Sequence, residues 1–124
     1  MAAPAVVLLV DDSPAIREVV VCSLAEEGYA AASVPDGIAA LVYLATRRPR
    51  LVLLDTYGAP DGGAAFIAAY RRRPGPHAAV YVFSVAPDAE RRARRIGADG
   101  FLPKPYELSA LLELVRRTGG EPGS

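Results

Sequence analysis

The sequence predicts an α/β fold: a doubly wound five-stranded parallel sheet with five helices. Three observations lead there. Short apolar runs alternate with stretches of helical spacing along the whole chain. The strongest runs are apolar at nearly every position, as strands covered on both faces must be. The connections are short, and alternation with short loops favours parallel strands joined through helices.

The elements follow in order. Ala5–Val10 is the first strand, rich in valine. Pro14–Glu27 has helical spacing, with Ser13 as N-cap, Pro14 at the first helical position, and Gly28 beyond its end. Ala30–Val34 is a weaker strand. Asp36–Arg48 places Ile38, Leu41, Val42 and Ala45 on one stripe and stops at Pro49. Leu51–Leu54 is the third strand. Gly63–Arg73 carries Phe66, Ile67 and Tyr70 and stops at Pro74. Ala79–Phe83 is the fourth strand, and the short helix Asp88–Ile96 ends at Gly97. Gly100–Leu102 is the fifth strand. Tyr106–Thr118 carries Leu108, Leu111, Leu112 and Val115. Residues 1–118 then form one domain, and 119–124, rich in glycine, read as a flexible tail or truncated linker.

Composition narrows the function. A chain of 124 residues, 52% hydrophobic and 23% charged, suits one globular domain with a real core. The 14 basic and 14 acidic residues cancel, so no global field draws the chain to nucleic acid or an anionic membrane. No apolar run is long enough to span a bilayer, and the start lacks the pattern of a signal peptide. A single cysteine, Cys22, excludes an internal disulfide and a cysteine-based zinc site, and is expected to be a small buried apolar residue. A cytoplasmic protein is expected.

In a doubly wound sheet, function collects at the carboxyl ends of the strands. There the sequence places Asp11 and Asp12, Asp55, Ser84, and Lys104-Pro105. Clustered carboxylates repel by about 4 kcal/mol per close pair at an effective dielectric of 20. Something cationic must sit among them, and an all-oxygen, part-hydrated site favours Mg2+. Lys104 is the only lysine in a chain with 13 arginines, and its compact charge suits a phosphoryl oxygen. A carboxylate beside a metal and a lysine is what forming an aspartyl phosphate requires.

The runs Leu8-Leu9-Val10-Asp11-Asp12-Ser13-Pro14-Ala15-Ile16-Arg17, Leu53-Leu54-Asp55, Val82-Phe83-Ser84 and Gly97-Ala98-Asp99-Gly100-Phe101-Leu102-Pro103-Lys104-Pro105-Tyr106 resemble receiver domains of two-component response regulators. The resemblance covers residues 5 to 118 and implies the flavodoxin-like receiver fold. It implies that Asp55 accepts a phosphoryl group from a histidine kinase or phosphotransfer protein. It further implies that Asp12 binds Mg2+ directly and Asp11 through water, with Asp55 and the backbone carbonyl of Tyr57 completing the protein's ligands. Ser84 and Lys104 would contact the phosphoryl oxygens, Ser84 and Phe101 would be the switch pair, and Lys104-Pro105 would be cis. Such a protein is a signalling switch rather than an enzyme, catalysing only its own phosphorylation and dephosphorylation.

The chain departs from the family's pattern after the acceptor. It reads Thr56-Tyr57-Gly58-Ala59-Pro60, so the usual proline is displaced and a bulky ring stands two residues past Asp55. Val85 stands where a smaller residue is usual. These changes bear on kinetics and partner choice, and they motivate an alternative, a phosphorylation-independent pseudo-receiver acting as an interaction module. A phosphatase using Asp55 as nucleophile is disfavoured, because Tyr57 occupies the place of its second carboxylate.

The remaining features have structural readings. Arg47-Arg48, Arg71–Arg73 and Arg116-Arg117 fall at predicted helix C-termini, where cations complement the helix dipole. Arg91, Arg92, Arg94 and Arg95 crowd one short helix, read as a solvated face. A partner surface or a homodimer through the 88–96 face is the alternative. His77, in a Pro-Gly-Pro-His loop, is expected to be exposed. The downstream protein target is unknown, and no direct nucleic-acid or membrane partner is expected.

Overall fold

The computed structural model describes residues 4–57, 61–85 and 87–119. The strands are β1 (Val7–Val10), β2 (Ala31–Val34), β3 (Leu51–Leu54), β4 (Ala79–Val85) and β5 (Gly100–Lys104). The helices are α1 (Pro14–Glu26), α2 (Gly37–Leu44), α3 (Ala64–Arg72), α4 (Asp88–Ile96) and α5 (Leu108–Arg117). All strand pairs are parallel, in the order β2-β1-β3-β4-β5. This is the doubly wound sheet that the alternation predicts.

Side-chain alternation divides each central strand between two cores. Val7, Leu9, Leu51, Leu53 and Phe83 point to one face and pack with Val20 and Leu24 of α1 and Leu111, Leu114 and Val115 of α5. Leu8, Val10, Val52, Leu54 and Val80 point to the other and meet Ala40 and Leu44 of α2 and Phe66, Ile67 and Tyr70 of α3. Burial on both sides is why these runs are apolar throughout. Helix α4 rests on a smaller cluster, where Ala89 and Ala93 meet Val82.

Local chemistry sets the helix starts. Ser13 Oγ accepts from the Ile16 amide at 3.3 Å, and Asp36 Oδ1 accepts from Ala39 at 2.8 Å. Gly63, before α3, has φ of +94°, and a Cβ there would lie 2.8 Å from Leu54 Cδ2. Only glycine satisfies both conditions.

Several sequence expectations are corrected. Helix α2 stops at Leu44, short of Arg48, so Arg47 and Arg48 do not cap it. Its stripe holds only at Leu41, which packs against the core: Ile38 and Val42 are 78% and 70% exposed, Ala45 is exposed, and Ala40 and Leu44 face inward instead. The helix is apolar nearly all round, so spacing alone cannot choose its inner face. In α5, Leu108 is partly exposed and Leu114 takes a core position that the expected stripe omits. Cys22 is exposed, on the outer side of α1. Strands β4 and β5 run two residues further than expected. Arg71-Arg72 and Arg116-Arg117 do lie in last helical turns, and His77 is exposed. No helix among the described residues is long and apolar enough to cross a membrane. The tail beyond Gly119 and the displaced Pro60 lie outside the described residues.

Candidate functional site

Parallel register builds the site. Val10 of β1 pairs with Leu54 of β3, so Asp11 and Asp55 emerge side by side one residue later. The chain also reverses direction across the sheet here, since β2 lies on one side of β1 and β3 on the other. The Asp55 amide donates to the Val10 carbonyl at 2.8 Å, which prolongs the ladder under the site. Ser84, 3% exposed, lies near the end of β4 opposite Pro103 of β5. Lys104 closes β5, and its bond to Pro105 is cis.

The carboxylates converge. Asp11, Asp12 and Asp55 each offer an oxygen within 4.8 Å of the others. Asp11 is 1% exposed. Its Oδ1 accepts from the Ser13 amide at 2.9 Å, and its Oδ2 pairs with Lys104 Nζ at 2.7 Å. The Arg17 guanidinium donates to the Asp11 carbonyl at 2.7 Å. Asp12 is exposed at the rim.

The two oxygens of Asp55 differ. Oδ1 accepts from the Tyr57 amide at 3.0 Å, whereas Oδ2 lies 3.8 Å from Lys104 Nζ. Lys104 itself sits 4.6 Å over the Phe83 ring, which meets Tyr106 edge-on. Burial pushes the Asp55 carboxyl above its ordinary value, and Asp11 and Asp12 push the same way. The Tyr57 amide and Lys104 oppose them. One ammonium among three carboxylates leaves an excess of negative charge, in a set of oxygen donors suited to a hard divalent cation.

Around this cluster a cleft of about 770 Å³ opens between α2 and α3, bordered by Asp55, Tyr57, Ile38 and Phe66. Tyr57 and Val85 are largely exposed, and Phe101 on β5 is 40% exposed. The structure therefore brings Asp11, Asp12, Asp55 and Lys104 together, with Ser84 on the neighbouring strand end.

Two further residues belong here: Thr56, which the sequence does not single out, and Arg92, which the sequence places on a solvated face and the structure turns inward. Thr56, wholly buried, receives hydrogen bonds from Arg92 of α4 on its carbonyl at 3.2 Å and on its hydroxyl at 3.3 Å. Position alone marks Thr56, the residue after Asp55. Nothing in the sequence separates Arg92 from its arginine neighbours.

Comparison with known proteins gives a consistent picture. A sequence profile described as the response regulator receiver domain matches residues 7–116. The response regulator MprA of Mycobacterium sp. (strain KMS) is 33% identical over 126 residues, spanning 97% of this chain and 54% of that protein. This chain thus spans about half the length of that relative. A response regulator receiver protein from Pseudomonas putida superposes with a TM-score of 0.78 at 30% identity, covering 94% of this chain and 99% of that one. The chemotaxis response regulator CheY4 of Vibrio cholerae gives 0.75 at 28% identity, with the same coverage.

Proposed function

Since the chain belongs to the response regulator receiver domain family of two-component signalling, we propose that it is a phosphorylatable switch whose Asp55 accepts a phosphoryl group. The observation that carries this reading is the pairing at Asp55: one carboxylate oxygen is held by a backbone amide, the other is turned toward a lysine ammonium. A held oxygen orients the carboxylate, and the free one is the nucleophile. The donor is a histidine kinase or phosphotransfer protein in the cytoplasm.

The residues fit Mg2+. Its holders would be Asp12 directly and Asp11 through water, with Asp55 and the Tyr57 carbonyl, and the exposure of Asp12 leaves room for ligand water. When bound, Mg2+ supplies the positive charge that the three carboxylates lack and polarises phosphoryl oxygens. Asp55 Oδ2 attacks phosphorus in line with the departing donor nitrogen, and Lys104 neutralises charge on the transferred oxygens. The new group carries nearly two negative charges. Ser84 and Lys104 turn toward it, and Phe101 moves inward into the space that Ser84 leaves. A pre-existing equilibrium shifts, and the surface around α4 and β5 changes for a downstream protein.

Intact-mass spectrometry after incubation with acetyl phosphate and Mg2+ tests the reading. One phosphoryl adduct is expected in the parent, absent without Mg2+ and absent in Asp55→Asn. A parent that binds neither Mg2+ nor a phosphoryl group would replace this reading with that of an interaction module.

A further inference from the structure

The arginine-rich helix α4 presents its charges unequally. Arg94 pairs with Glu90 at 2.6 Å along the outer surface. Arg92 turns inward instead. Its guanidinium reaches the carbonyl and hydroxyl of Thr56 while staying 3.7 Å from Asp88. Thr56 is 0% exposed, so its carbonyl has little recourse to water as a substitute donor.

The peptide that Arg92 grips is the same peptide that holds the acceptor. The carbonyl of Thr56 and the amide of Tyr57 belong to one planar unit. Arg92 donates to its oxygen end, and its N–H end donates to Asp55 Oδ1 at 3.0 Å. A cation on the carbonyl polarises the unit and strengthens the hydrogen bond made by its N–H. Planarity also means that the two ends cannot rotate independently. The orientation of the peptide, and with it the oxygen of Asp55 left free to attack, depends on a side chain from α4.

We infer that Arg92 is a positioning residue for phosphoryl acceptance, tying α4 to the Asp55 carboxylate through the single peptide Thr56–Tyr57. The inference rests on the proposed acceptor role of Asp55. It gives the linkage between site and surface a defined path: a displacement of α4 alters the grip on this peptide, and a change at Asp55 is felt by Arg92 through the same atoms.

The test uses the full chain and three variants: Arg92→Met, which keeps an unbranched apolar stem but no donor, Arg92→Lys, which restores a cation, and Asp88→Asn, which removes only the neighbouring carboxylate. The first readout needs no phosphodonor: the NMR shift and hydrogen-exchange rate of the Tyr57 amide. Arg92→Met is expected to speed that exchange about twofold or more, because the Tyr57 N–H keeps its bond to Asp55 but loses the polarisation and the grip on its peptide. It is expected to slow phosphorylation by acetyl phosphate by a similar factor. Arg92→Lys recovers most of both, and Asp88→Asn changes neither. A folded Arg92→Met protein with parental Tyr57 exchange and parental phosphorylation overturns the inference. So does a loss that Arg92→Lys fails to recover at all. A parent that accepts no phosphoryl group breaks the acceptor reading instead, and the Tyr57 readout still reports on the tie itself.

Discussion

Helices α4 and α5 flank the same end of the sheet, yet they are held in different ways. Helix α5 drives Leu111, Leu114 and Val115 into a core shared with α1, Phe83 and the buried faces of β1 and β3. Helix α4 offers that sheet only two alanines, against Val82, with Ile96 alongside. What fixes α4 beyond this is polar: the grip of Arg92 on Thr56. Apolar packing tolerates little displacement, because interiors are close-packed and cavities are costly. A contact made by small side chains and supplemented by hydrogen bonds can shift at smaller cost. On the proposed reading, the region that moves is the one whose anchoring runs through the site.

Stability measurements break or sharpen this contrast. Leu111→Ala, which opens a cavity under α5, is expected to cost about 2–5 kcal/mol in urea unfolding. Ala93→Gly under α4 removes only a methyl group and some helix propensity, and is expected to cost about 1 kcal/mol. Equal losses would mean that α4 is bolted as firmly as α5.

The site itself supplies the next effect. Asp55 has a carboxyl raised above its ordinary value of 3.8, so the folded chain binds that proton more tightly than the unfolded chain does. Stability is therefore lost as pH rises from the ordinary value through the raised one, and the deficit persists at neutral pH. Asp55→Asn is expected to stabilise the metal-free fold at neutral pH. The gain comes first from relieving a buried charge and then from removing its repulsion with Asp11 and Asp12. It should shrink below the ordinary carboxylate range, and also when Mg2+ binds the parent. A less stable Asn variant at neutral pH would refute the charge excess. The smallest effects belong to α2, where Ile38→Gln and Val42→Gln should each change stability by less than about 0.5 kcal/mol.

That last pair marks the boundary of what the sequence discloses. The five strands and the reactive groups at their ends are legible, because doubly buried strands leave continuous apolar runs and parallel topology sends their carboxyl ends to one rim. Asp11, Asp12, Asp55 and Lys104 could be named on that basis. The inner face of α2 could not, since Ile38/Val42 and Ala40/Leu44 have identical spacing and are all apolar, and the more hydrophobic pair is the exposed one. The exposure of Cys22 is not legible, because composition carries no information about which side of α1 it occupies. Arg92 was hidden among four arginines, and only its proximity to Thr56 distinguishes it.

Amide hydrogen exchange followed by mass spectrometry, with Mg2+ present and acetyl phosphate added or withheld, tests the central claim most directly, because one sample reports both the adduct and its consequences. The account predicts one phosphoryl group on the parent, with exchange altered in α4 and at Thr56–Tyr57 while α5 keeps its protection. A phosphorylated chain in which α5 changes and α4 does not, or a chain that binds Mg2+ yet never gains the group, would contradict it.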